Sequence, residues 1–158
     1  MTVQIALLRG INVGGHNKLP MADLRDLLAT LGAQDCKTYI QSGNAVYRGD
    51  LDAEMISEAI EKAHGFRPQV MVRDLSFWQA RIAAAPYPSD DPKALHLFVL
   101  AGPTNATEAD LNQHATPTEA AQIGAGVVYL HTPGGLSASK IADRIDRRLI
   151  LIGCMMTM

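Results

Sequence analysis

The sequence predicts an α+β protein made of tandem ferredoxin-like units, each with a split β-α-β arrangement. First, short apolar segments alternate with longer segments in which apolar residues recur every three or four positions. Second, these segments follow the order β-α-β-β-α-β, and a similar order begins again after a proline-rich stretch at residues 86–92. Third, 47% of the 158 residues are hydrophobic and 19% are charged, which is typical of a folded protein. A single continuous sheet with helices on one face is the main alternative.

The first ferredoxin-like unit is predicted at residues 1–74. Its strands are apolar or alternating runs at residues 2–8, 37–40, 45–48 and 69–73. The first helix has one apolar face, formed by Met21, Leu24, Leu27, Leu28 and Leu31. Gly32 is the candidate C-cap of this helix, whereas Asp50 and Gly65 are predicted to begin and end the second helix. The same spacing predicts the buried face of the second helix at Leu51, Met55, Ile56, Ala59, Ile60 and Ala63.

A helical connector is predicted at residues 75–93, and a second ferredoxin-like unit, complete or incomplete, at residues 94–158. In the connector, Asp74 caps a third helix that contains Leu75, Trp78 and Ile82. The second unit begins with an apolar strand at residues 94–100, and Thr107 with Asp110 then resembles a capping box. Residues 120–131 predict a hairpin, and residues 150–158 are a candidate final strand. Between them, Gly134 and Gly135 open a last helix with one face at Ala138, Ile141, Ala142, Ile145 and Leu149.

The overall charge argues against partners that depend on electrostatic attraction. Lys and Arg number 14 and Asp and Glu number 16, giving a formal net charge of -2, whereas nucleic-acid binders usually carry a basic excess. An RNA-binding sheet also needs aromatic residues on its first and third strands, and only Tyr47 is found there. No apolar run approaches the roughly 18 residues of a membrane span, and the first residues do not form a signal peptide. We therefore expect a cytoplasmic protein without nucleic-acid or membrane partners.

The sequence also lacks the usual metal and cofactor motifs. Its five histidines do not combine with Cys36 and Cys154 in a zinc-binding spacing, so both cysteines are expected to be reduced. Neither a P-loop nor a GxGxxG sequence is present, and no G-x-S-x-G motif supports a hydrolase triad. We therefore expect no metal and no cofactor.

The main candidate ligand site combines a glycine-rich loop at residues 10–20 with a turn at residues 41–44. The first and second strands of a split β-α-β unit run parallel, so the loops that follow them lie at the same edge of the sheet. The first helix begins directly after the loop, and its positive end faces the same region. The loops favour an anionic or amide-bearing small molecule, although they could instead be a structural pair bonded to the backbone. The candidate ligand-binding residues are Arg9, Asn12, Gly14, Gly15, His16, Asn17, Lys18, Gln41, Ser42 and Asn44.

A second polar group lies at the start of the last helix. Ser139 and Lys140 are added to the candidate ligand-binding residues, and Arg144 follows one helical turn after Lys140. These residues could contribute positive charge to the ligand site. The alternative is a capped helix start with solvated cations, which is the ordinary state of charged residues on helices.

Three functions stay open on this reading. The first is a small-molecule-binding protein that uses the loop and the turn. The second is an enzyme of unknown reaction in the same cleft, with His16 or Lys140 as the group that transfers a proton. The third is an interaction protein that forms homodimers through an exposed sheet face or edge strand. The apolar run at residues 149–152 must then be buried within the fold or against such a partner, and the oligomeric state itself is not predicted.

Five stretches carry distinctive motifs: ALLRGINVGGHNK at residues 6–18, PMADL at 20–24, TYIQSGN at 38–44, PGGL at 133–136 and SK at 139–140. Through them the sequence resembles the bacterial domain-of-unknown-function family 1697. The resemblance implies an α/β fold of tandem ferredoxin-like units and a further Arg-Asn-Trp-like segment with a helix after Met158. It carries over no catalytic role, because the activity of the family is not established. The motifs coincide with the loop, the turn and the start of the last helix, which supports the choice of candidate residues.

Overall fold

Two four-stranded antiparallel sheets, each with its own helices, make up this α+β protein. The computed structural model describes residues 1–41, 43–88, 90–91, 93–148 and 151–157, with only the backbone described for residues 146–148 and 151–157. The chain divides into two compact units, Met1–Trp78 and Gln79–Met158. The mixed helix and strand content confirms the predicted α+β class.

The first unit carries a sheet with the strand order β2-β3-β1-β4. Because β3 is antiparallel to both β1 and β2, the strands β1 and β2 run in the same direction and end at the same edge. Helices α1 and α2 bury apolar residues in one core with the sheet, in which Leu24, Leu28, Ile56 and Ile60 are fully buried. The elements in chain order are β1 (Val3–Arg9), α1 (Met21–Thr30), β2 (Gln34–Tyr39), β3 (Asn44–Arg48), α2 (Ala53–His64) and β4 (Gln69–Asp74).

The start of α2 differs from the sequence prediction. Its N-cap is Asp52, whose Oδ1 accepts the Met55 N–H at 2.8 Å, and the expectation that Asp50 caps the helix is wrong. Leu51, which separates the two aspartates, is buried, and its N–H donates to the side-chain oxygen of Gln4 at 3.1 Å. This contact keeps Leu51 outside the helix, so the helix begins after the second aspartate.

The buried face of α2 is narrower than predicted. A glycine lies at or just after the C-terminal end of both α1 and α2. Met55 is 40% exposed because it lies a step of roughly 100° from Ile56, outside the apolar stripe. Ala63 is also exposed, in the last turn. Gly65 is the predicted left-handed C-cap of α2, with φ 79°. The C-cap of α1 is Leu31, so the expectation that Gly32 is the cap is wrong by one residue; Gly32, with φ 101°, takes the left-handed position that follows the cap.

The second unit repeats the order of the elements, and its sheet has the strand order β6-β7-β5-β8. Each neighbouring strand pair is antiparallel, and every residue of β5 is buried. Ile141 and Ile145 of α5 are fully buried in the core of this unit. Its elements are β5 (Leu95–Leu100), α4 (Glu108–Asn112), β6 (Ala120–Gly124), β7 (Val127–His131), a 3-10 helix (Leu136–Ala138), α5 (Lys140–Arg148) and β8 (Leu151–Thr157).

Two predicted helix caps are confirmed near this unit. The Asp74 Oδ1 accepts the Phe77 N–H at 2.8 Å at the start of α3 (Leu75–Ala83). At the start of α4, the Thr107 hydroxyl accepts the Asp110 N–H at 3.1 Å, and the Asp110 carboxylate accepts the Thr107 N–H at 3.0 Å. This reciprocal pair is the capping box expected from the sequence.

The last helix begins later than predicted. Gly134 and Gly135 lead into the 3-10 helix, and α5 begins only at Lys140, so Ala138 is exposed and lies outside the helix. The reason is Ser139, which is extended (φ -78°, ψ 121°) and whose hydroxyl accepts the Ala142 N–H at 3.2 Å. The predicted positions Leu149, Ile150 and Met158 lie outside the described residues.

The division between the units falls within α3. The connector predicted at residues 75–93 stays a prediction. Among the helices that the structure describes, none combines the length and the apolar character that crossing a membrane requires.

Candidate ligand-binding rim

The loop at residues 10–20 and the turn at residues 41–44, together called the rim, are neighbours at one edge of the first sheet. The Asn12 Nδ2 donates to the carbonyl oxygen of Gln41 at 2.9 Å, and the Leu8 N–H donates to the carbonyl oxygen of Gly43 at 3.0 Å. A Cβ on Gly43 would lie 2.5 Å from the Ile11 Cδ1, so a glycine is needed for this close approach. The two polar stretches therefore share an edge, as the strand directions predict.

The side chain of Asn12 holds the loop in shape. Its Nδ2 donates to the carbonyl oxygens of Leu19 and Gln41 at 2.9 Å each, and its Oδ1 accepts the Leu19 N–H at 2.8 Å. The Asn12 N–H donates to the carbonyl oxygen of Asn17, and the Asn17 Nδ2 donates to that of Gly10, both at 3.0 Å. Both side-chain amides are thus bonded to the backbone, as expected if the loop and the turn are a structural pair rather than a ligand site. Their use as ligand donors stays a prediction.

The tip of the loop is a tight turn made of two glycines. The His16 N–H donates to the carbonyl oxygen of Val13 at 3.0 Å. The central residues Gly14 and Gly15 have φ values of 59° and 78°, and two positive values define a type I′ turn, which favours glycine. Apart from Gly15 itself and its two chain neighbours, no atom lies within 4 Å of the position that a Cβ on Gly15 would take, and both glycines are exposed to solvent. Its peptide groups are therefore accessible to a ligand.

Three further polar side chains of the rim are exposed. His16, Lys18 and Gln41 all belong to the exposed class of residues, and together they offer a cation, an imidazole and an amide. Unlike the two asparagines, these three side chains are not needed to close the loop. They are the members of the predicted set best placed to meet a ligand from solvent.

Sequence reasoning missed three large apolar residues at the rim. Val13 is 66% exposed, Tyr39 is 72% exposed and Ile40 is 57% exposed. Ile40 also has a φ of 50°, which is rare and strained for a β-branched residue. The sequence signal was available for Tyr39, because alternation along β2 places Lys37 and Tyr39 on one face.

The remaining predicted residues of the first unit are less accessible. Arg9 is half-buried at the end of β1 and has an interaction partner. Asn44 is half-buried as the first residue of β3, and Ser42 lies outside the described residues. Helix α1 begins next to the loop with Pro20 as its N-cap, but Asp23 in its first turn opposes the attraction of an anion.

Ser139 and Lys140 lie in the second unit, where they have an acidic neighbour that the sequence did not reveal. Burial acts to raise the pKa of Glu119, but hydrogen bonds from Ser139 and Thr116 and the charge of Lys140 outweigh it and hold the pKa below its ordinary value. The Glu119 Oε2 also accepts the Thr116 N–H at 3.1 Å. Ser139 is buried and caps α5, whereas Lys140 is exposed.

Metal-binding and thiol chemistry have little support in the part of the chain that the structure describes. No group of three or more His, Cys, Asp or Glu residues in that part could hold a metal ion. Cys36 is a free, half-buried cysteine. Burial and the charge of Asp35 raise the pKa of the Cys36 thiol, which makes it a weak nucleophile at neutral pH. The side chain of Cys154 lies outside the described residues.

Comparison with known proteins places the chain in a family. The family model described as "Protein of unknown function (DUF1697)" matches residues 1–129. The chain belongs to this family. The match includes all the motifs of the rim and ends before residues 133–136 and 139–140, so the resemblance noted there stays a prediction.

Other comparisons add a protein of similar fold but no activity. No curated protein matches the chain significantly. The structure of the conserved bacterial protein SP0830 from Streptococcus pneumoniae is similar, with a TM-score of 0.67 and 22% sequence identity. The alignment covers 95% of this chain and 91% of that chain. At this identity the likeness shows the fold alone.

Proposed function

We propose that this DUF1697 protein binds a small anionic or amide-bearing molecule at the rim. The observation that carries the proposal is that the polar residues of the rim fall into two groups, one bonded to the backbone and one exposed. Asn12 and Asn17 bond to the backbone and fix the shape of the loop, whereas His16, Lys18 and Gln41 are exposed elsewhere on the rim. A loop that is ordered before binding loses less conformational entropy when the ligand arrives, which favours affinity.

The chemistry of the exposed side chains supports both ligand classes. Lys18 provides a charged donor, and the open peptide groups at Gly14 and Gly15 allow an oxyanion to approach the backbone closely. The amide of Gln41 can donate and accept at once, which suits an amide on the ligand.

We also infer that each unit is ferredoxin-like, that residues 75–93 connect units at 1–74 and 94–158, and that the protein is cytoplasmic. The first inference is supported by the strand orders β2-β3-β1-β4 and β6-β7-β5-β8 together with the order of the elements along the chain. The cytoplasmic location stays a prediction.

A second candidate function is an interaction with another protein, including a second copy of this chain. The observation that favours it is the exposure of Val13, Tyr39 and Ile40 at the same rim. Light scattering coupled to size exclusion tests it. If a dimer forms through the rim, Tyr39→Ser should weaken it and shift the measured molar mass from that of a dimer towards that of a monomer. An enzymatic role for His16 or Lys140 stays a prediction, and these residues belong to different units.

A ligand screen read by amide NMR tests the binding proposal. The probes are inorganic phosphate, AMP, glucose 6-phosphate, glutamate and glutamine, added to the full chain. We expect at least one probe to shift the signals of residues 13–18 and 41 saturably. At about 100 times its Kd this probe should stabilise the protein by about 2.7 kcal/mol.

Variants that leave the loop intact make the test specific. Lys18→Gln and Gln41→Ala should each weaken binding roughly tenfold, which is about 1.4 kcal/mol. Arg48→Gln is the matched control, because it removes an exposed charge at the far end of β3 from Asn44. The proposal fails if no probe shifts the rim, or if Arg48→Gln weakens binding as much as Lys18→Gln.

A further inference from the structure

A cleft of about 970 Å³ opens in the second unit beside the start of α5. Its walls include Lys93 before β5, His96 and Phe98 on β5, the 3-10 helix Leu136–Ala138, and Lys140 on α5. All of these residues belong to the second unit, so the cleft is a feature of that unit alone. Its volume falls in the range of small-molecule sites, roughly 300–1,000 Å³.

His96 is a buried histidine at the wall of this cleft. It is 3% exposed, and neither its Nδ1 nor its Nε2 makes a hydrogen bond within the described part of the chain. Burial lowers the pKa of His96, although a contact with the Lys93 backbone, which falls outside ordinary hydrogen-bond geometry, acts in the opposite direction. The ring is therefore neutral near neutral pH and offers one donor and one acceptor. Buried polar atoms in folded proteins nearly always have partners, so this histidine requires an explanation.

His96 occupies a core position of β5, where an apolar residue would be expected. It lies two residues before Phe98 and therefore on the same face of β5, which is the face that carries the core of the unit. Leu95, Leu97 and Leu100 occupy other positions of the same strand. An apolar residue would satisfy the packing there without burying two nitrogens that lack a well-formed hydrogen bond.

The start of α5 brings positive potential to the same cleft. The helix has nine residues, and the N–H groups of a first turn carry a partial positive charge. The Ser139 hydroxyl caps only one of these groups, that of Ala142. Lys140 and Lys93 are exposed and add two full charges at the walls.

Two carboxylates limit the class of ligand. Asp143 also lines the cleft, and Glu119 lies close enough to Lys140 for their charges to interact. A bare anion would therefore meet both signs of charge. A molecule that combines an anionic group with hydroxyl or amino donors fits the walls better, because its donors can face Asp143 and the acceptor nitrogen of the imidazole.

We propose that this cleft is a second binding site, for a small molecule that carries a phosphate or carboxylate group together with hydroxyl or amino donors. Lys140, Lys93 and the first turn of α5 hold the anionic group, and His96 bonds to a neutral polar group of the same molecule. Binding therefore requires the ring to turn about its Cβ–Cγ bond until a nitrogen faces the ligand. The site goes beyond the rim and does not depend on it.

The test uses the full chain with isotope-labelled histidine and three probes: glucose 6-phosphate, glutamate and inorganic phosphate. We expect glucose 6-phosphate or glutamate to shift the ring nitrogen signals of His96 and the amides of Lys140 and Ile141 along one saturation curve. Inorganic phosphate should shift the α5 amides with lower affinity, because it offers fewer donors. A histidine whose nitrogens are satisfied by water alone would show no ring shift with any probe, and that result overturns the proposal.

Paired variants distinguish this site from the rim. His96→Leu should weaken binding at least tenfold, whereas His114→Leu, at an exposed histidine of the same unit, should not change it. Lys140→Gln should also weaken binding about tenfold. Equal binding by His96→Leu refutes the proposal, as does loss of the His96 shift in Lys18→Gln, which would assign the effect to the rim. If His96→Leu does not fold, the ring signals of the native protein decide alone.

Discussion

Replacing Asn12 with alanine tests whether one side chain determines the shape of the rim. The substitution removes the two hydrogen bonds donated to the carbonyl oxygens of Leu19 and Gln41, and the one accepted from the Leu19 N–H. Each is worth about 1 kcal/mol, and water can replace part of the loss at a half-buried position, which leaves about 2 kcal/mol. The left-handed φ of 54° suits asparagine better than alanine and adds about 1 kcal/mol. The free energy of unfolding of the first unit should therefore fall by about 3 kcal/mol.

The assay uses the single tryptophan of the chain. Trp78 is the last residue of the first unit and is 2% exposed, so its fluorescence changes in urea when the packing around it is lost. Asn12→Asp provides the matched comparison, because it keeps the acceptor and tolerates the left-handed backbone but turns a carboxylate towards two carbonyl oxygens. Their repulsion raises the pKa of the new carboxyl in the folded state, so this variant should regain stability as the pH falls.

The reasoning is refuted by a small effect or by the wrong pH response. A loss of less than about 0.5 kcal/mol for Asn12→Ala would be typical of an ordinary surface substitution, and the loop would then be held by other contacts. Stability of Asn12→Asp that does not rise on acidification would mean that its side chain no longer faces the carbonyl oxygens.

Three further predictions follow from contacts elsewhere. Gly43→Ala should destabilise the first unit by about 3 kcal/mol through overpacking and a left-handed φ, whereas Gly15→Ala, which has open space, should cost only about 1 kcal/mol; equal losses in urea would contradict this. Asp52→Ala should remove about 1 kcal/mol of stability by thermal unfolding and Asp50→Ala clearly less, whereas the reverse order would restore the original cap assignment. The lowered pKa of Glu119 stabilises the fold at pH values above the ordinary pKa of a glutamate, and this stabilisation is lost as the pH falls. Glu119→Gln should therefore make the free energy of unfolding less dependent on pH in the acid range; an unchanged pH dependence would exclude this contribution.

Helix ends were predictable from the sequence where the signal is local. Thr107 and Asp110 are three residues apart, so their capping box can be recognised without knowledge of the rest of the chain. The choice between Asp50 and Asp52 was not local. The hydrogen bond between Leu51 and a glutamine on β1 decides it. Two suitable capping residues only two positions apart cannot be distinguished from the sequence alone.

The two candidate sites differ in the same way. The neighbouring positions of the rim segments follow from the order and direction of the strands, so topology alone was sufficient to predict them. The partners of Asn12 were not predictable, because an asparagine in a loop bonds equally well to a ligand or to the backbone. His96 was overlooked because it stands in an apolar strand, and its meaning depends on the cleft that the start of α5 forms beside it.

The motifs that carry the family resemblance are therefore weak support for a ligand by themselves. Gly43 is required by the close approach of the loop and the turn, the two glycines at the tip by their positive φ values, and Asn12 by three hydrogen bonds. A chain that only needed to fold this rim would select the same residues. Among the described residues, these loop-closing contacts are made by residues other than Lys18 and Gln41, whose side chains are exposed and do not fill the core. A binding function for the rim must therefore be judged on these exposed residues, and substitutions at the asparagines would report on folding whether or not a ligand exists.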